Sequence, residues 1–235
     1  MQLHWRARWF VRLPLLPLLD GTGNVTSDVI FGSGNTNSSF TGESQNEIEL
    51  GLRGKLRYNT LGSPENTFNY DGVKTYTFAT TDGVAPVTRS VFNIEWSINV
   101  DQFGASNNLS DLTYLLEIGY DPGLGTDFFA FGPINVPYAD HSIGTNATAN
   151  GAGVEAAFGD SVGYLISNNN LAQNSWNLGF FEPAGLDPQT EGMYTINLSA
   201  FSANGLQAST SSVVMYRQLA QSLLVSCLCL RGSQA

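Results

Sequence analysis

The amino-acid sequence predicts an all-β protein, namely an antiparallel β-sandwich of the jelly-roll or immunoglobulin-like kind with about nine or ten strands. Apolar residues recur at every second position in several segments, and clusters of Gly, Asn, Asp and Pro separate these segments. Charged residues make up only 13% of the chain. Small polar residues replace them, as is typical of strands joined by frequent turns.

The clearest strand covers residues 46–58, where even positions are mostly apolar and odd positions are mostly charged. This pattern predicts one buried face and one face in solvent. Residues 91–100 and 112–120 repeat the alternation, and Asp71-Gly72 predicts the turn of a hairpin between Phe68 and Phe78. Shorter strands are predicted at residues 128–131, 162–167, 175–181, 193–201 and 206–214.

Two further expectations concern the regions around these strands. Residues 139–160 are small and polar with one aromatic residue, which predicts a long surface loop. Trp96 and Trp176 fall on the predicted inward faces, so we expect them to pack in the core rather than stack on sugars.

The length of 235 residues suits one domain with short appendages, a sandwich over residues 28–214. Residues 1–27 form a leader in which three arginines precede the short apolar run Leu13–Leu19, as in an export signal. A start codon assigned too early is the alternative explanation. Residues 215–235 are expected to be an aberrant or disordered tail, and their apolar stretch is too short for a transmembrane anchor.

The charge distribution argues against nucleic acid as a partner. Residues 20–191 hold all twenty acidic residues and five basic ones, a formal charge of −15. Such a surface repels phosphate backbones. Two histidines and two cysteines do not make a zinc or iron site, and no cofactor is predicted.

Calcium is the metal that the sequence leaves open. Aspartates occur in predicted turns and loops, although none forms an EF-hand pattern. The aspartates concerned are Asp71, Asp121, Asp127, Asp140 and Asp160. We expect them to be solvated turn residues, and no metal ligand is assigned.

One catalytic motif appears, because Gly159–Gly163 fits the G-x-S-x-G nucleophile elbow of esterases around Ser161. That motif needs a strand–turn–helix context and a histidine base. No histidine follows Ser161, so only His141 could serve, and it precedes the serine. The sequence therefore predicts no catalytic residue, and a serine esterase at Ser161 remains a remote alternative.

Several segments resemble proteins of the PEP-CTERM group, which are exported by Gram-negative bacteria and sorted by an exosortase. The similarity lies in residues 170–181 (NLAQNSWNLGFF), 186–188, 192–201 (GMYTINLSAF) and 48–68, and it extends over about residues 28–212. The resemblance implies export to the cell surface or extracellular matrix and an association with exopolysaccharide or biofilm.

This chain lacks the Pro-Glu-Pro signal, apolar helix and basic cluster with which that group ends. A frameshift shortly before the sorting signal is our hypothesis for the missing tail. The other two reading frames of the gene would test it, and the absence from both frames of an apolar segment followed by basic residues would refute it.

The functional expectation is thus an exported surface or extracellular-matrix protein that acts by interaction and not by catalysis. The alternative is a carbohydrate-binding module, with calcium as a possible aid, which an exposed row of aromatic residues would favour. The sequence itself assigns neither ligand-binding residues nor an oligomeric state.

Overall fold

A computed structural model describes residues 40–104, 106–121, 127–134, 142–149, 152–155, 160–180 and 187–218. The twelve strands described are β1 (Thr41–Gln45), β2 (Ile48–Tyr58), β3 (Pro64–Thr67), β4 (Thr75–Ala79), β5 (Phe92–Asn99), β6 (Thr113–Asp121), β7 (Asp127–Phe131), β8 (Ser142–Gly144), β9 (Val154–Glu155), β10 (Leu171–Asn177), β11 (Gly192–Ser202) and β12 (Gly205–Arg217). One α-helix, α1 (Asp160–Asn168), and two 3-10 turns, Leu109–Asp111 and Leu178–Phe180, complete the described elements.

The strands form two sheets, which confirms the predicted all-β sandwich. Sheet A has the order β1-β2-β5-β10-β8-β9, with β3 also paired to β2, and sheet B has the order β4-β12-β11-β6-β7. All pairings between these strands are antiparallel except that of β4 with β12, which is parallel. The described strands number twelve, slightly more than the nine or ten expected, because short strands occur in segments that were predicted as loops.

The core lies between the sheets and is built from the apolar positions of the alternating strands. On β5 these positions are buried as predicted. The alternate positions of β11 from Tyr194 to Ala200 and of β12 from Ala208 to Tyr216 are buried as well, and on β12 they include the polar residues Thr210 and Ser212. Aromatic rings join the layers: the rings of Phe92 and Tyr194 meet edge to face at a centroid distance of 5.3 Å. The hydroxyl of Tyr194 donates to the carbonyl of Thr190 at 2.6 Å, which satisfies its polar end inside the core.

The prediction of a solvent-exposed face on β2 is wrong, because both of its faces are buried. Arg53 and Lys55 are no more than 1% exposed. Glu95 of the neighbouring β5 lies opposite Arg53 and accepts a hydrogen bond from its Nε. The Nζ of Lys55 lies 2.5 Å from Oε1 of the same carboxylate. The alternating pattern correctly predicted which residues of β2 share a face, but it did not predict that the polar face is buried.

The strand predicted at residues 162–167 is also wrong, since this segment belongs to α1. Val162, Leu165 and Ile166 pack against the core, while Tyr164 is exposed, which is the spacing of an amphipathic helix. Side chains close the C-terminal turn, for Asn168 donates to the carbonyl of Tyr164 at 2.8 Å. The helix has nine residues, so its periodicity is too short to stand out in a sequence.

The long surface loop predicted over residues 139–160 contains β8 and β9 in its described part. Ser142, Ile143 and Gly144 are buried where β8 pairs with β10. The predicted hairpin between Phe68 and Phe78 forms around Asp71-Gly72, where Tyr70 and Tyr76 make an antiparallel bridge and the N–H of Thr77 donates to the carbonyl of Asn69. The longer strands beside it pair elsewhere, since β3 pairs with β2 and β4 pairs with β12.

Both ends of the chain carried predictions of their own. The final strand continues to Arg217, three residues past the expected limit of 214. The predicted leader (1–27) and nearly all of the predicted tail lie outside the described residues. Within the described part of the chain, none of the helices has the length and apolarity needed to cross a membrane.

Candidate functional site

A polar cleft of about 580 Å³ opens on the outer face of sheet B beside β1, and we call it the edge cleft. Its lining consists of polar and charged side chains with one apolar residue, and comes from β1, β6, β11, β12 and the approach to β4. The lining residues are Glu43, Gln45, Lys74, Glu117, Asn197, Ser199, Leu206, Ser209, Thr210 and Ser211.

The floor of the edge cleft follows from the alternation of three neighbouring strands. On β11 the even positions Tyr194 to Ala200 are buried, so the odd positions face outward. Asn197 stands opposite Glu117 of β6 on one side and Ser211 of β12 on the other. Adjacent strands are about 4.8 Å apart, so the three side chains form a row of hydrogen-bonding groups across the sheet. Ser199 and Ser209 form the next row.

The rim is supplied by β1, which belongs to sheet A but lies against β12 of sheet B. The backbone N–H of Ser209 donates to Oε1 of Gln45 at 3.2 Å. The Nδ2 of Asn46, in the turn after β1, donates to the carbonyl of Gln207 at 2.7 Å. These bonds hold Glu43 and Gln45 beside the N-terminal half of β12. The cleft is therefore built on strands of both sheets rather than on a loop.

Two polar groups in the lining lack a hydrogen-bond partner among the described residues. One is Oε2 of Glu43, which is shielded from solvent, and the other is the hydroxyl of Thr210, a residue that is 5% exposed and lies opposite the buried Leu198 on the core-facing side of β12. Burial raises the pKa of Glu43, because it disfavours the charged carboxylate. A shielded polar atom without a partner costs about 1–3 kcal/mol.

The chemistry of the edge cleft is that of binding through hydrogen bonds. Its carboxylates accept, its lysine donates, and its amides and hydroxyls can do both. Leu206 is 56% exposed and adds an apolar surface. Clefts of about 300–1,000 Å³ are typical of sites for small ligands, and this volume falls in that range.

The side chains that the esterase hypothesis requires lie outside the described residues. Ser161 lies in α1, but its side chain and the whole of His141 are outside the described residues. The separation of the two is accordingly not described, and the hypothesis stays a prediction.

Of the aspartates considered for calcium, the structure describes the side chain of Asp71. Asp71 closes a turn by accepting backbone N–H bonds from Val73, Lys74 and Thr75 at 2.8–2.9 Å. The side chains of Asp121, Asp127 and Asp160 and all of Asp140 are outside the described residues. Over the part of the chain that is described, no three His, Cys, Asp or Glu residues are grouped so that they could hold a metal ion.

The two tryptophans pack in the core as predicted. Trp96 is 1% and Trp176 is 5% exposed. The ring of Trp176 is parallel to that of Phe129 at a centroid distance of 6.0 Å. Neither tryptophan lines the edge cleft, so the aromatic row that would favour the carbohydrate-binding alternative is not formed by these two residues.

Sequence reasoning assigned no function to any residue of the edge cleft. Its outward-facing members could have been found as the polar positions of β6, β11 and β12. Their grouping could not have been predicted, because it depends on the pairing of both β6 and β12 with β11. It also depends on the contact of β1, a strand of sheet A, with β12 of sheet B. Neither the order of strands in a sheet nor the crossing is encoded in local alternation.

No family model matches the chain, and neither a curated protein nor a solved structure shows significant similarity to it.

Proposed function

We propose that this protein is exported by a Gram-negative bacterium to the cell surface or extracellular matrix, where it binds exopolysaccharide through the edge cleft without catalysis. The observation that carries the proposal is the lining of the cleft, in which one exposed leucine accompanies nine polar or charged residues. Sugars present many hydroxyl groups that both donate and accept, and such a lining matches them.

The row formed by Glu117, Asn197 and Ser211 supports a ligand with regularly spaced hydroxyls. Its members stand on neighbouring strands of one sheet, so the backbone fixes their spacing. Because the strands already fix the backbone under these side chains, no backbone segment has to be ordered when a ligand binds, which favours affinity. The apolar surface of Leu206 would contact the C–H face of a sugar ring.

Export and the matrix location depend on the sequence. The similarity of residues 170–201 to PEP-CTERM proteins and the signal-like run at the N-terminus support them. The scarcity of charge and the acidic body fit a protein that stays soluble in a polysaccharide matrix.

The experiment is calorimetric titration of the full-length chain with hexasaccharides of glucose, N-acetylglucosamine, glucosamine and a uronic acid. We expect at least one to bind, and Asn197→Ala to weaken that binding at least tenfold. Thr195→Ala is the matched control, because Thr195 occupies the same face of β11 and is not among the residues that line the cleft. We expect Thr195→Ala to bind as the unaltered chain does.

Three results would contradict the proposal. One is that none of the four sugars binds, the second is that Asn197→Ala binds as tightly as the Thr195→Ala control, and the third is that the bound sugar is shortened during incubation. Chromatography of the recovered hexasaccharide distinguishes the last result, since binding without catalysis leaves the chain length unchanged.

A further inference from the structure

We infer that β1 is a movable rim of the edge cleft, which protonation of Glu43 holds closed against β12 and ionisation of Glu43 releases. This inference names a regulation of the edge cleft, and in that respect alone it rests on the proposed function. It follows from the composition of β1, from the bonds that join this strand to β12, and from the position of the glutamate between them.

The composition of β1 gives its contact with sheet B little apolar support. No apolar side chain occurs among its five residues, which are Thr41, Gly42, Glu43, Ser44 and Gln45. Residues directly opposite each other on paired strands share a face. Glu43 lies opposite Leu50 of β2, a fully buried core residue, so Glu43 points between the sheets. Segments with few buried apolar contacts are the ones that open locally.

Side-chain hydrogen bonds join the end of β1 to β12. Gln45 accepts from the N–H of Ser209 at 3.2 Å, and Asn46 donates to the carbonyl of Gln207 at 2.7 Å. On its other side β1 forms an antiparallel ladder with β2 along its whole length, and Phe40 just before it is buried. The strand therefore remains attached to sheet A when its contact with β12 opens.

Polar atoms at this contact are shielded without being satisfied. Oε2 of Glu43 and the hydroxyl of Thr210 have no hydrogen-bond partner among the described residues, and both residues belong to the lining of the edge cleft. A polar group that is removed from water without a new partner opposes the contact that buries it. Water reaches Glu43 when the rim opens, so hydration of this carboxyl group favours the open state.

The charge of Glu43 makes this effect depend on pH. Burial raises the pKa of the carboxyl group in the closed state. The charged groups that share the cleft lining with it are Lys74, before β4, and Glu117 of β6. β12 presents uncharged residues to this region and β2 presents Leu50, so desolvation is the dominant influence.

The sign of the effect follows from linkage. In the open state the glutamate has its ordinary pKa, and in the closed state its pKa is higher. Its contribution to closure is therefore fully present below the ordinary pKa and is lost as pH rises through the raised value. Because Glu43 and Gln45 line the edge cleft, acid keeps the rim of the cleft in place and a higher pH releases it.

Amide hydrogen exchange of the isotope-labelled full-length chain, followed by NMR without any ligand, tests the rim directly. The N–H of Ser209 reports the contact with β1. The N–H of Thr210 points the other way, to β11, and reports sheet B itself. After division by the intrinsic rates, Ser209 should exchange about tenfold faster than Thr210 or more, because the rim opens without loss of the sheet.

Two substitutions on β1 connect this exchange to the rim and to the proton. In Glu43→Gln the exchange of Ser209 at neutral pH should be slower than in the unaltered chain by about threefold or more, and the difference should vanish in acid. Gln45→Ala removes the acceptor of the Ser209 N–H and should accelerate its exchange at both pH values.

Glu155→Gln is the matched control, because it removes the same charge from an exposed position on β9, at the opposite end of sheet A from β1. It should leave the exchange of Ser209 unchanged. The inference is overturned if Ser209 exchanges no faster than Thr210, or if Glu43→Gln has no effect at neutral pH. An equal effect of Glu155→Gln also overturns it, since the cause would then be the overall charge.

The exchange measurement uses no sugar, so it is independent of the calorimetric titration that tests the proposed function. If none of the hexasaccharides binds while Ser209 exchanges as expected, the proposed function falls and the proton-linked rim stands. If a hexasaccharide binds while Ser209 is protected as strongly as Thr210, the proposed function stands and the rim is overturned.

Discussion

Arg53 and Glu95 lie directly opposite each other on β2 and β5, and their side chains form an ion pair on the buried outer face of sheet A. Two aromatic rings cover the guanidinium group of Arg53, those of Phe40 and Phe68 at centroid distances of 4.1 and 4.7 Å. Lys55 contacts the same carboxylate. Burial lowers the pKa of Lys55, and the charge of Glu95 acts against that effect. The carboxylate thus stabilises two buried cations.

We expect Glu95→Gln to lower the free energy of unfolding by about 3–5 kcal/mol, because the loss of one partner leaves buried charge without compensation. Urea titration at neutral pH, followed by circular dichroism, measures the change. The exposed Glu155→Gln on β9 is the control and should change the free energy by less than about 0.5 kcal/mol.

A second variant separates charge from packing in this cluster. The triple change Arg53→Met, Lys55→Met and Glu95→Leu removes all three charges at similar volume. It should be more stable than Glu95→Gln, because apolar side chains avoid the desolvation of ions. A loss below about 1 kcal/mol in Glu95→Gln would show that the ion pair contributes little.

The turn at Asp71 provides a prediction that depends on pH. Desolvation acts to raise the pKa of Asp71, but hydrogen bonds from the backbone N–H groups of Thr75, Val73 and Lys74 outweigh it and lower the pKa. A carboxylate with a lowered folded-state pKa stabilises the protein above its unfolded-state pKa. That contribution is lost as pH falls through the folded-state value.

Asp71→Ala should therefore lower the free energy of unfolding by about 1 kcal/mol at neutral pH. The difference from the unaltered chain should shrink in acid, as measured by urea unfolding at several pH values. Asp71→Asn keeps an acceptor oxygen at the same place and should lose less. If the alanine and asparagine variants are equally stable at neutral pH, the turn does not depend on these hydrogen bonds.

The sequence predicted the fold class because alternation is a local property. The apolar positions of β5, from Phe92 to Ile98, are all buried, and period-2 spacing alone places them on one face. The polar face of β2 shows where such reasoning ends. The charges of Arg53 and Lys55 predicted that this face is exposed to solvent. Instead, Glu95, which lies 40 residues or more further along the chain, compensates both charges inside the protein. A single-strand pattern contains no information on such a partner.

The edge cleft was unpredictable for a related reason. Asn197 and Ser211 belong to strands that are consecutive in the chain, so their adjacency could have been guessed from a hairpin. Glu43 and Glu117 reach the same cleft from β1 and β6, which are distant in sequence. Their approach depends on strand order and on the contact between the two sheets. The prediction for α1 was wrong for a different reason, since nine residues give too few repeats of a helical period for the helix to be recognised in the sequence.

We expect the carboxylate of Glu43, which lines the edge cleft, to lower the free energy of unfolding at neutral pH. Because burial raises its pKa, the folded protein retains the proton more strongly than the unfolded chain does. Stability therefore falls as pH rises from the ordinary glutamate pKa through the raised value. Glu43→Gln removes this effect and should raise the free energy of unfolding at neutral pH by about 1 kcal/mol or less, since solvent screens a partly exposed group.

Urea unfolding of Glu43→Gln and the unaltered chain at acidic and neutral pH tests this expectation. The two should be equally stable in acid, where both side chains are neutral, and should separate as pH rises. A glutamine variant that is less stable than the unaltered chain at neutral pH would mean that the fold stabilises the carboxylate of Glu43, which contradicts this expectation.

Two glycines should respond in opposite directions to the same substitution. A Cβ at Gly54 on β2 would lie 2.8 Å from Cβ of Tyr76 and 2.9 Å from Cγ2 of Val214. These atoms belong to the packed core, so Gly54→Ala should cost about 1–3 kcal/mol of unfolding free energy. A Cβ at Gly163 in α1 would meet no atom within 4 Å. Gly163→Ala should therefore stabilise by about 0.5–1 kcal/mol through the higher helix propensity of alanine.

A third variant shows whether the effect at Gly163 comes from a helix. Valine is a poorer helix former than alanine but a better strand former. Gly163→Val should thus be less stable than Gly163→Ala if residues 160–168 are helical, and more stable if they form the strand that alternation suggested. Urea unfolding ranks the three chains, and circular dichroism of each verifies that the fold is retained. If Gly163→Val were more stable than Gly163→Ala, the helical structure of residues 160–168 would be contradicted. The reason is that a side chain at this position meets no neighbouring atoms, so its effect on stability comes mainly from the preference of the residue for a helix or a strand.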